Sequence, residues 1–231
     1  MLGRWDCLPS QMKTEEVRYY YEILNKKRGS LVLKRAFDIS AAMTLTVGLS
    51  VPMLLIAAAI KVDSDGPVIY RQERVTTNGK IFKIHKFRTM IDKGDSIGPG
   101  VTTSNDSRIT KVGAVLRKYR LDEFPQLFDV LAGNMSFVGT RPESVKYVKE
   151  YTPAMWATLL LPAGITSEAS IRFKDEAKLL NCAEDADRVY IEKVLPAKMK
   201  YNLKMIEEFS IKNDFLTLIN TVLAFAGNDT I

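Results

Sequence analysis

The hydrophobic and polar positions divide the chain into three stretches of different character. Residues 1–33 are mixed and polar. Only Thr14 to Leu24 has the spacing of a short helix, and Lys26, Lys27 and Arg28 form a basic cluster before Gly29. This stretch has no apolar core of its own and is expected to be an arm. It is not a signal peptide, because the first long apolar run starts late and follows acidic residues. That run, Ile39 to Ile60, holds 22 residues without a charge, between Asp38 and Lys61. Roughly 20 apolar residues cross a bilayer as a helix, so it is a membrane-segment candidate; a buried core helix is the alternative. Pro52 falls in its middle, after Gly48 and Ser50. A proline kinks a helix, and a nearby hydroxyl can satisfy the freed carbonyl. Lys26, Lys27, Arg28, Lys34 and Arg35 precede the run; Lys61, Arg71 and Arg74 follow it. Basic flanks stay on the cytoplasmic side, so the segment is expected to enter, bend near Pro52 and leave on the same side.

The rest of the chain alternates strand and helix signals. Pro67–Val75 and Lys80–Phe87 are predicted strands around an Asn78-Gly79 turn, a strong hairpin signal. Asp92–Asp106, rich in Gly, Ser, Thr, Asn and Asp, is a predicted loop. A helix is expected over Thr110–Tyr119. In the next, Leu121, Phe124, Leu127, Phe128 and Leu131 recur at helical spacing before a stop at Gly133. Pro125 belongs in a first turn, which places the start near Asp122, a good N-cap residue. Glu143–Leu161 is expected to be an amphipathic helix. Its Tyr147, Tyr151, Met155, Trp156, Leu159 and Leu160 suit either a membrane surface or ordinary packing. A helix over Asp187–Phe209 would be kinked at Pro196. A last one, Phe215–Ala226 capped by Asp214, would be core or interfacial, being too short to span.

Composition narrows the chemistry. With 33 basic and 27 acidic residues the net charge is +6, which suits nucleic acid, a membrane surface or a phosphorylated substrate without choosing among them. Cys7, Cys182 and the single histidine, His85, have no metal-ligand spacing, so a conventional zinc site is excluded. Two isolated cysteines make no disulfide framework and fit a reducing compartment. Catalysis must use carboxylates, Lys, Arg or hydroxyls. The Asp122-Glu123 pair is the candidate, with Arg108, Lys111, Arg117, Lys118 and Arg120 around it in sequence. A carboxylate nucleophile beside cations and Mg²⁺ suits phosphoryl transfer; an acidic N-cap is the plainer alternative. Lys86 and Arg88, at the end of a strand, could reach a phosphate or stand on a solvated edge.

Six strings, in order, carry a resemblance: Lys34-Arg35-Ala36-Phe37-Asp38 before the apolar run, Lys86-Phe87-Arg88-Thr89-Met90, Asn105-Asp106-Ser107-Arg108-Ile109-Thr110, Leu121-Asp122-Glu123-Phe124-Pro125-Gln126-Leu127, Met135-Ser136-Phe137-Val138-Gly139-Thr140-Arg141-Pro142-Glu143, and Pro162-Ala163-Gly164-Ile165-Thr166. Over residues 31–225 the chain resembles the bacterial sugar transferase family, monotopic polyprenyl-phosphate phosphoglycosyl transferases. The resemblance implies transfer of a sugar-1-phosphate from a UDP-sugar to undecaprenyl phosphate, with UMP leaving, at the cytoplasmic face of the bacterial inner membrane. It implies Asp122 as nucleophile in a phosphosugar–aspartyl intermediate and Glu123 as a Mg²⁺ ligand. Lys86, Arg117 and Arg141 become phosphate-binding cations. The re-entrant helix breaks at Ser50 to Pro52, with Lys34 and Arg35 at the headgroups and Asp38 beside them.

The expected fold is therefore α+β and mostly helical, with a re-entrant helix–break–helix, a small β-hairpin or sheet and amphipathic interfacial helices. The expected divisions are an arm at 1–33, the membrane helix at 34–61 and a cytoplasmic catalytic domain at 62–231, with 34–231 one fold. Partners are the two substrates and one membrane leaflet, with no nucleic acid and room for a homodimer. The chain is expected to be a minimal catalytic unit with an added N-terminal arm. Departures from the pattern are Thr140 before Arg141, Val75-Thr76 in the hairpin, Val51 between Ser50 and Pro52, and Ser167-Glu168-Ala169-Ser170 after Ile165-Thr166. The last is expected to affect sugar choice, which is left open. A non-catalytic, membrane-anchored polyanion-binding or scaffold protein is the competing reading.

Overall fold

The computed structural model describes residues 2–91, 106–176 and 185–225. The loop expected over 92–106, apart from Asp106, lies outside these residues, as do Cys182 and Ala226.

Helix α1, Glu15–Lys26, starts where the Thr14 side chain accepts from the Val17 N–H, the usual way an N-cap satisfies an orphan donor. Helix α2, Arg28–Gly48, and helix α3, Ser50–Asp63, meet at Leu49 with a 60° bend. Pro52 sits in the first turn of α3 and has no N–H to offer the Gly48 carbonyl; Ser50 Oγ donates back to Val47 O at 2.7 Å. The bend thus falls beside the expected break, and α2 begins well before residue 34. No single helix among the described residues is long and apolar enough to cross a membrane; the bent pair is, by length and composition.

Strands β1, Ile69–Val75, and β2, Ile81–Phe87, form the expected antiparallel hairpin, with Ile69 opposite Phe87 and Val75 opposite Ile81. Asn78 takes φ 57° and Gly79 φ 75°, the left-handed backbone such a turn requires. Helix α4, Lys111–Lys118, leads through a 3₁₀ turn at Leu121–Glu123 into helix α5, Gln126–Leu131. The helix expected from Asp122 therefore starts four residues later, with Pro125 at its N-cap, and the carboxylates lie in the turn before it.

A second sheet was not foreseen: β3, Met135–Val138, runs parallel to β4, Ala163–Thr166, with Ser136 opposite Gly164. The backbones approach so closely that a Cβ on Gly164 would stand 2.2 Å from the Gly139 nitrogen. The amphipathic helix expected over 143–161 is instead α6, Val145–Val148, and a 3₁₀ segment, Pro153–Leu159. The residue before a proline is driven to extended backbone, and Thr152, at φ −68° and ψ 160°, breaks the helix there.

Helix α7, Glu168–Arg172, and helix α8, Ala186–Val189, follow. A π turn at Tyr190–Val194 joins α8 to helix α9, Leu195–Glu207. Pro196, which lacks an N–H for the ladder, accounts for the register change before it. Helix α10, Ile211–Phe225, begins earlier than expected, and Ser210 Oγ, not Asp214, accepts from its first turn through Asn213 N.

Three apolar clusters result. In the largest, Leu2, Leu8, Met12, Val17, Tyr21 and Leu24 pack with Tyr151, Met155, Leu159, Leu160, Leu195 and Met199. The segment expected to be an arm thus shares this core. It covers the aromatic face of 147–160, so that face packs against protein. A second cluster joins Ala42 of α2, Phe82 and Ile84 of β2, Leu127 and Val130 of α5, Met135 and Ala163. A third joins Ile60 of α3, Phe87 and Leu116 of α4, with Leu121 and Phe124 against it. The turn carrying Asp122 and Glu123 bridges the last two.

Candidate active site

Period-two alternation in β2 places Lys86 on the same face as Phe82 and Ile84, toward α5. Gly139 and Thr140 carry the chain from β3 to Arg141. Both cations converge on the turn. Glu123 Oε1 receives Arg141 Nη2 at 2.6 Å, Lys86 Nζ at 3.1 Å and Arg120 Nη1 at 3.6 Å. Among the described residues every ion pair of this site ends on Glu123 and none on Asp122.

Their ionisation follows from this division. Both carboxylates are buried. Burial alone would raise the Glu123 carboxyl, but Arg141, Lys86 and Arg120 outweigh it and hold the group far below the usual range. Burial raises the Asp122 carboxyl above its ordinary 3.8, and Lys86 and Arg117 recover only part of the penalty. Burial likewise lowers the Lys86 ammonium, with Glu123 opposing, while Glu123 stabilises the Arg141 cation further. The outcome is one carboxylate clamped by cations and a neighbour ionised at a cost in free energy. The second is the arrangement a nucleophile needs, because an unclamped anion loses little solvation or pairing when it reacts.

The expected residues separate into those at the turn and those elsewhere. Asp122, Glu123, Lys86 and Arg141 meet, and Arg117 lies near enough to lower the Asp122 carboxyl. Arg88 does not join them. Its buried guanidinium donates to the carbonyls of Ser64 and Asp65 and to Ser64 Oγ, closing the turn after α3. Both terminal nitrogens are thus committed to this turn, although the buried Nε has no hydrogen-bond partner among the described residues.

Lys34 and Arg35, expected at the headgroups, turn inward. Lys34 Nζ meets Asp214 Oδ2 at 2.5 Å, and Arg35 donates to the carbonyls of Val130 and Leu131 at 2.8 and 3.2 Å. A guanidinium at a helix C-terminus satisfies carbonyls left without partners. Asp38 accepts from Ser136 Oγ at 2.8 Å and Phe137 N at 3.3 Å. These three residues moor α2 to α10, α5 and β3.

Other groups had no assigned role in the sequence. Asp129 of α5 accepts from the His85 backbone N–H at 2.9 Å and lies 2.8 Å from its Nδ1, capping the free edge of β2. Glu143, two residues after Arg141, takes the Tyr190 hydroxyl at 2.7 Å and Lys198 Nζ at 3.4 Å in a buried network. Arg120 stands directly before Leu121-Asp122-Glu123, and that position was its one sequence signal.

Among the described residues no group of three or more acidic, histidine or cysteine side chains could enclose a divalent cation. A carboxylate pair amid a cluster of cations fits Mg²⁺ in its common mode, held by one or two carboxylates, substrate phosphates and water.

A bent apolar helix pair and a hairpin thus frame a carboxylate turn on which cations gather, an arrangement that suits an anionic ligand. The family comparison is specific. The bacterial sugar transferase family model matches residues 29–228, and the chain belongs to this family.

It is 34% identical over 193 residues to UDP-N-acetylgalactosamine-undecaprenyl-phosphate N-acetylgalactosaminephosphotransferase of Aeromonas hydrophila, covering 82% of this chain and 43% of that protein. It is 36% identical to UDP-glucose:undecaprenyl-phosphate glucose-1-phosphate transferase of Klebsiella pneumoniae over 84% of this chain and 40% of that protein. It is 35% identical to exopolysaccharide production protein ExoY of Rhizobium meliloti over 71% of this chain and 84% of that protein. The chain thus spans less than half the length of the first two.

Proposed function

We propose that this protein transfers a sugar-1-phosphate from a UDP-sugar to undecaprenyl phosphate, releasing UMP and starting a surface glycan. The observation that carries the reading is the division of labour at the turn, where Lys86 and Arg141 hydrogen-bond to Glu123, Arg120 stands farther off, and Asp122, next to Glu123, has no ion pair among the described residues. The names of the relatives, which include both UDP-N-acetylgalactosamine and UDP-glucose, support the reaction class and leave the sugar open.

In the proposed reaction a UDP-sugar places its diphosphate among Lys86, Arg117 and Arg141. An Asp122 carboxylate oxygen attacks the β-phosphorus. The bond from that phosphorus to the oxygen bridging the phosphates breaks, and UMP leaves with the electron pair. Asp122 then carries the sugar phosphate as an acyl phosphate. An oxygen of undecaprenyl phosphate attacks the same phosphorus, the aspartyl–phosphorus bond breaks, and the carboxylate returns. The product is a polyprenyl diphosphate sugar. Glu123 fixes the cations around the transferring group and would help hold Mg²⁺. When bound, that ion would neutralise charge on the phosphates. Two half-reactions at one residue give ping-pong kinetics.

The bent pair α2–α3 is proposed to enter one leaflet and leave on the cytoplasmic side of the bacterial inner membrane. Val47, Val51, Leu54, Leu55 and Val62 are all exposed, between 63% and 89%, a larger apolar display than water-facing helices carry. Insertion at headgroup depth brings the turn to the plane where a soluble donor meets a lipid phosphate.

The test supplies the purified, lipid-held protein with undecaprenyl phosphate, Mg²⁺ and a panel of UDP-sugars. UMP and a lipid-linked sugar diphosphate should form in equal amounts with at least one donor and cease with a chelator. UMP formation without a lipid product, or no reaction with any donor, contradicts the proposal.

A further inference from the structure

Resting on the transferase reading, we propose that Arg120 is the residue that receives the phosphate of the lipid acceptor, above a groove that seats the first part of its hydrocarbon chain. Arg120 is one of two non-glycine residues among the described ones with positive φ, at φ 57° and ψ 22°. A long side chain in this region is strained, and such strain persists where surrounding structure enforces it, often at functional sites. Here it lies immediately before the carboxylate turn.

The Arg120 guanidinium stands 4.8 Å above the ring of Phe225, from the last turn of α10. It lies 3.6 Å from Glu123 Oε1, beyond hydrogen-bond length, whereas Arg141 and Lys86 are within it. Arg120 is also the most exposed of the three, at 35% against 27% and 22%. A guanidinium has five donors in a fixed fork. The least committed and most accessible of the three cations is therefore Arg120.

Beside it lies a groove of about 320 Å³, bounded by Leu45 and Leu49 at the helix bend and by Leu127, Phe137 and Phe225, with Arg120, Glu123 and Arg141 lining the same space. Apolar walls do not suit a nucleotide or a sugar. They suit a hydrocarbon, and the cations among them suit an anion attached to it. The occupant with both properties is a lipid phosphate whose head reaches Arg120, next to Asp122, and whose first carbons lie between the bend of α2–α3 and α10. Phe225 then holds the guanidinium over the groove by a cation–π contact.

The experiment separates the half-reactions. Wild type, R120A, R120K and L45W are first incubated with Mg²⁺ and the UDP-sugar, and the covalent adduct is measured by intact mass. Adduct discharge is then followed against undecaprenyl phosphate and against a short-chain, water-soluble prenyl phosphate. R120A should need roughly ten- to a hundredfold more undecaprenyl phosphate for half-maximal discharge, the scale of a lost charge-assisted hydrogen bond. Any loss in its adduct formation should be at least tenfold smaller. R120K should recover part of the deficit. L45W, which fills the groove, should raise the requirement for the long-chain acceptor more than for the short one.

Wild-type discharge by R120A, or equal losses in both half-reactions, would overturn the proposal, and the latter would make Arg120 a support for Glu123. An unchanged chain-length preference in L45W would remove the groove from it. If the wild type forms no adduct, the transferase mechanism itself fails and takes the acceptor site with it.

Discussion

Asp122 and Glu123 are adjacent, equally buried and chemically alike, yet their surroundings drive them in opposite directions. Asp122 is raised by burial, so the native state keeps that proton to higher pH than the unfolded chain does. Ionising it costs stability as pH rises past 3.8, and the cost persists at neutral pH. Glu123 is buried as well, but Arg141 and Lys86 more than offset that and depress it. Its contribution is present above its ordinary 4.5 and fades as pH falls below that toward its folded value. Both D122N and E123Q should abolish turnover, but thermal melts at pH 7 should show D122N at or above wild type and E123Q clearly below. Equal destabilisation would refute the division of roles.

The same surroundings set the pH dependence of the first half-reaction. Its acid limb should report Asp122, because Glu123 remains ionised well below it. Lys86 is the strongest cation acting on Asp122 after burial has raised it. In K86M the acid limb of adduct formation should therefore move to higher pH, and an unmoved limb would show that another group controls it. At this scale the sequence was informative: Asp122-Glu123, Lys86 and Arg141 stand in distinctive strings. Arg88 lies apart from the turn, a position the sequence did not reveal because a strand-end cation looks the same whether it meets a phosphate or the carbonyls of Ser64 and Asp65. Arg120 was legible only as one of five cations around the pair, because nothing in a sequence marks a positive φ on an arginine.

Among the elements, those with local causes were legible and those with distant causes were not. Asn78-Gly79 specifies the hairpin within a few residues, and Gly48, Ser50 and Pro52 specify the bend. The parallel pair β3–β4 has no such signature. Its strands are four residues each, and they meet only because Gly139 and Gly164 let two backbones approach. A methyl group at residue 164 would collide with the Gly139 backbone and displace the segment that presents Arg141. G164A should cost about 1–3 kcal/mol by denaturant unfolding, the scale of overpacking a tight interior. It should also weaken donor use, since Arg141 follows Gly139 by two residues. Wild-type stability would show that the two strands can separate without penalty. The break at Thr152-Pro153 was misread because Tyr151, Met155 and Leu159 keep a four-residue spacing through it.

The molecule as a whole is assembled from three apolar clusters with the carboxylate turn between two of them. Its largest core is completed by the N-terminal segment, most of which precedes the matched family region at 29–228. Residues 1–33 looked like an arm because half of this core, Leu159, Leu195 and Met199 among it, is more than 120 residues away in sequence. Leu24 is fully buried there, so L24A should destabilise the protein by about 2–5 kcal/mol, as for other large-to-small core changes. A chemical melt matching wild type would show that the segment merely rests on the surface. Outside this core, α2 and α3 expose Val47, Leu54, Leu55 and Val62, and α10 exposes Leu216, Ile219 and Val222. The apolar run was legible from its length, and its exposure in the fold supports the proposed membrane insertion.

The central claim is that Asp122 carries the sugar phosphate between donor and acceptor. The most direct measurement is the intact mass of lipid-held protein mixed with Mg²⁺ and each UDP-sugar in the absence of acceptor, for wild type and D122N. With the right donor the wild type should gain the mass of one sugar phosphate and release one UMP, and D122N should do neither. Adding undecaprenyl phosphate should return the wild type to its original mass. Lipid-linked product formed at full rate by D122N, or turnover by the wild type with no adduct at any time, would contradict the claim.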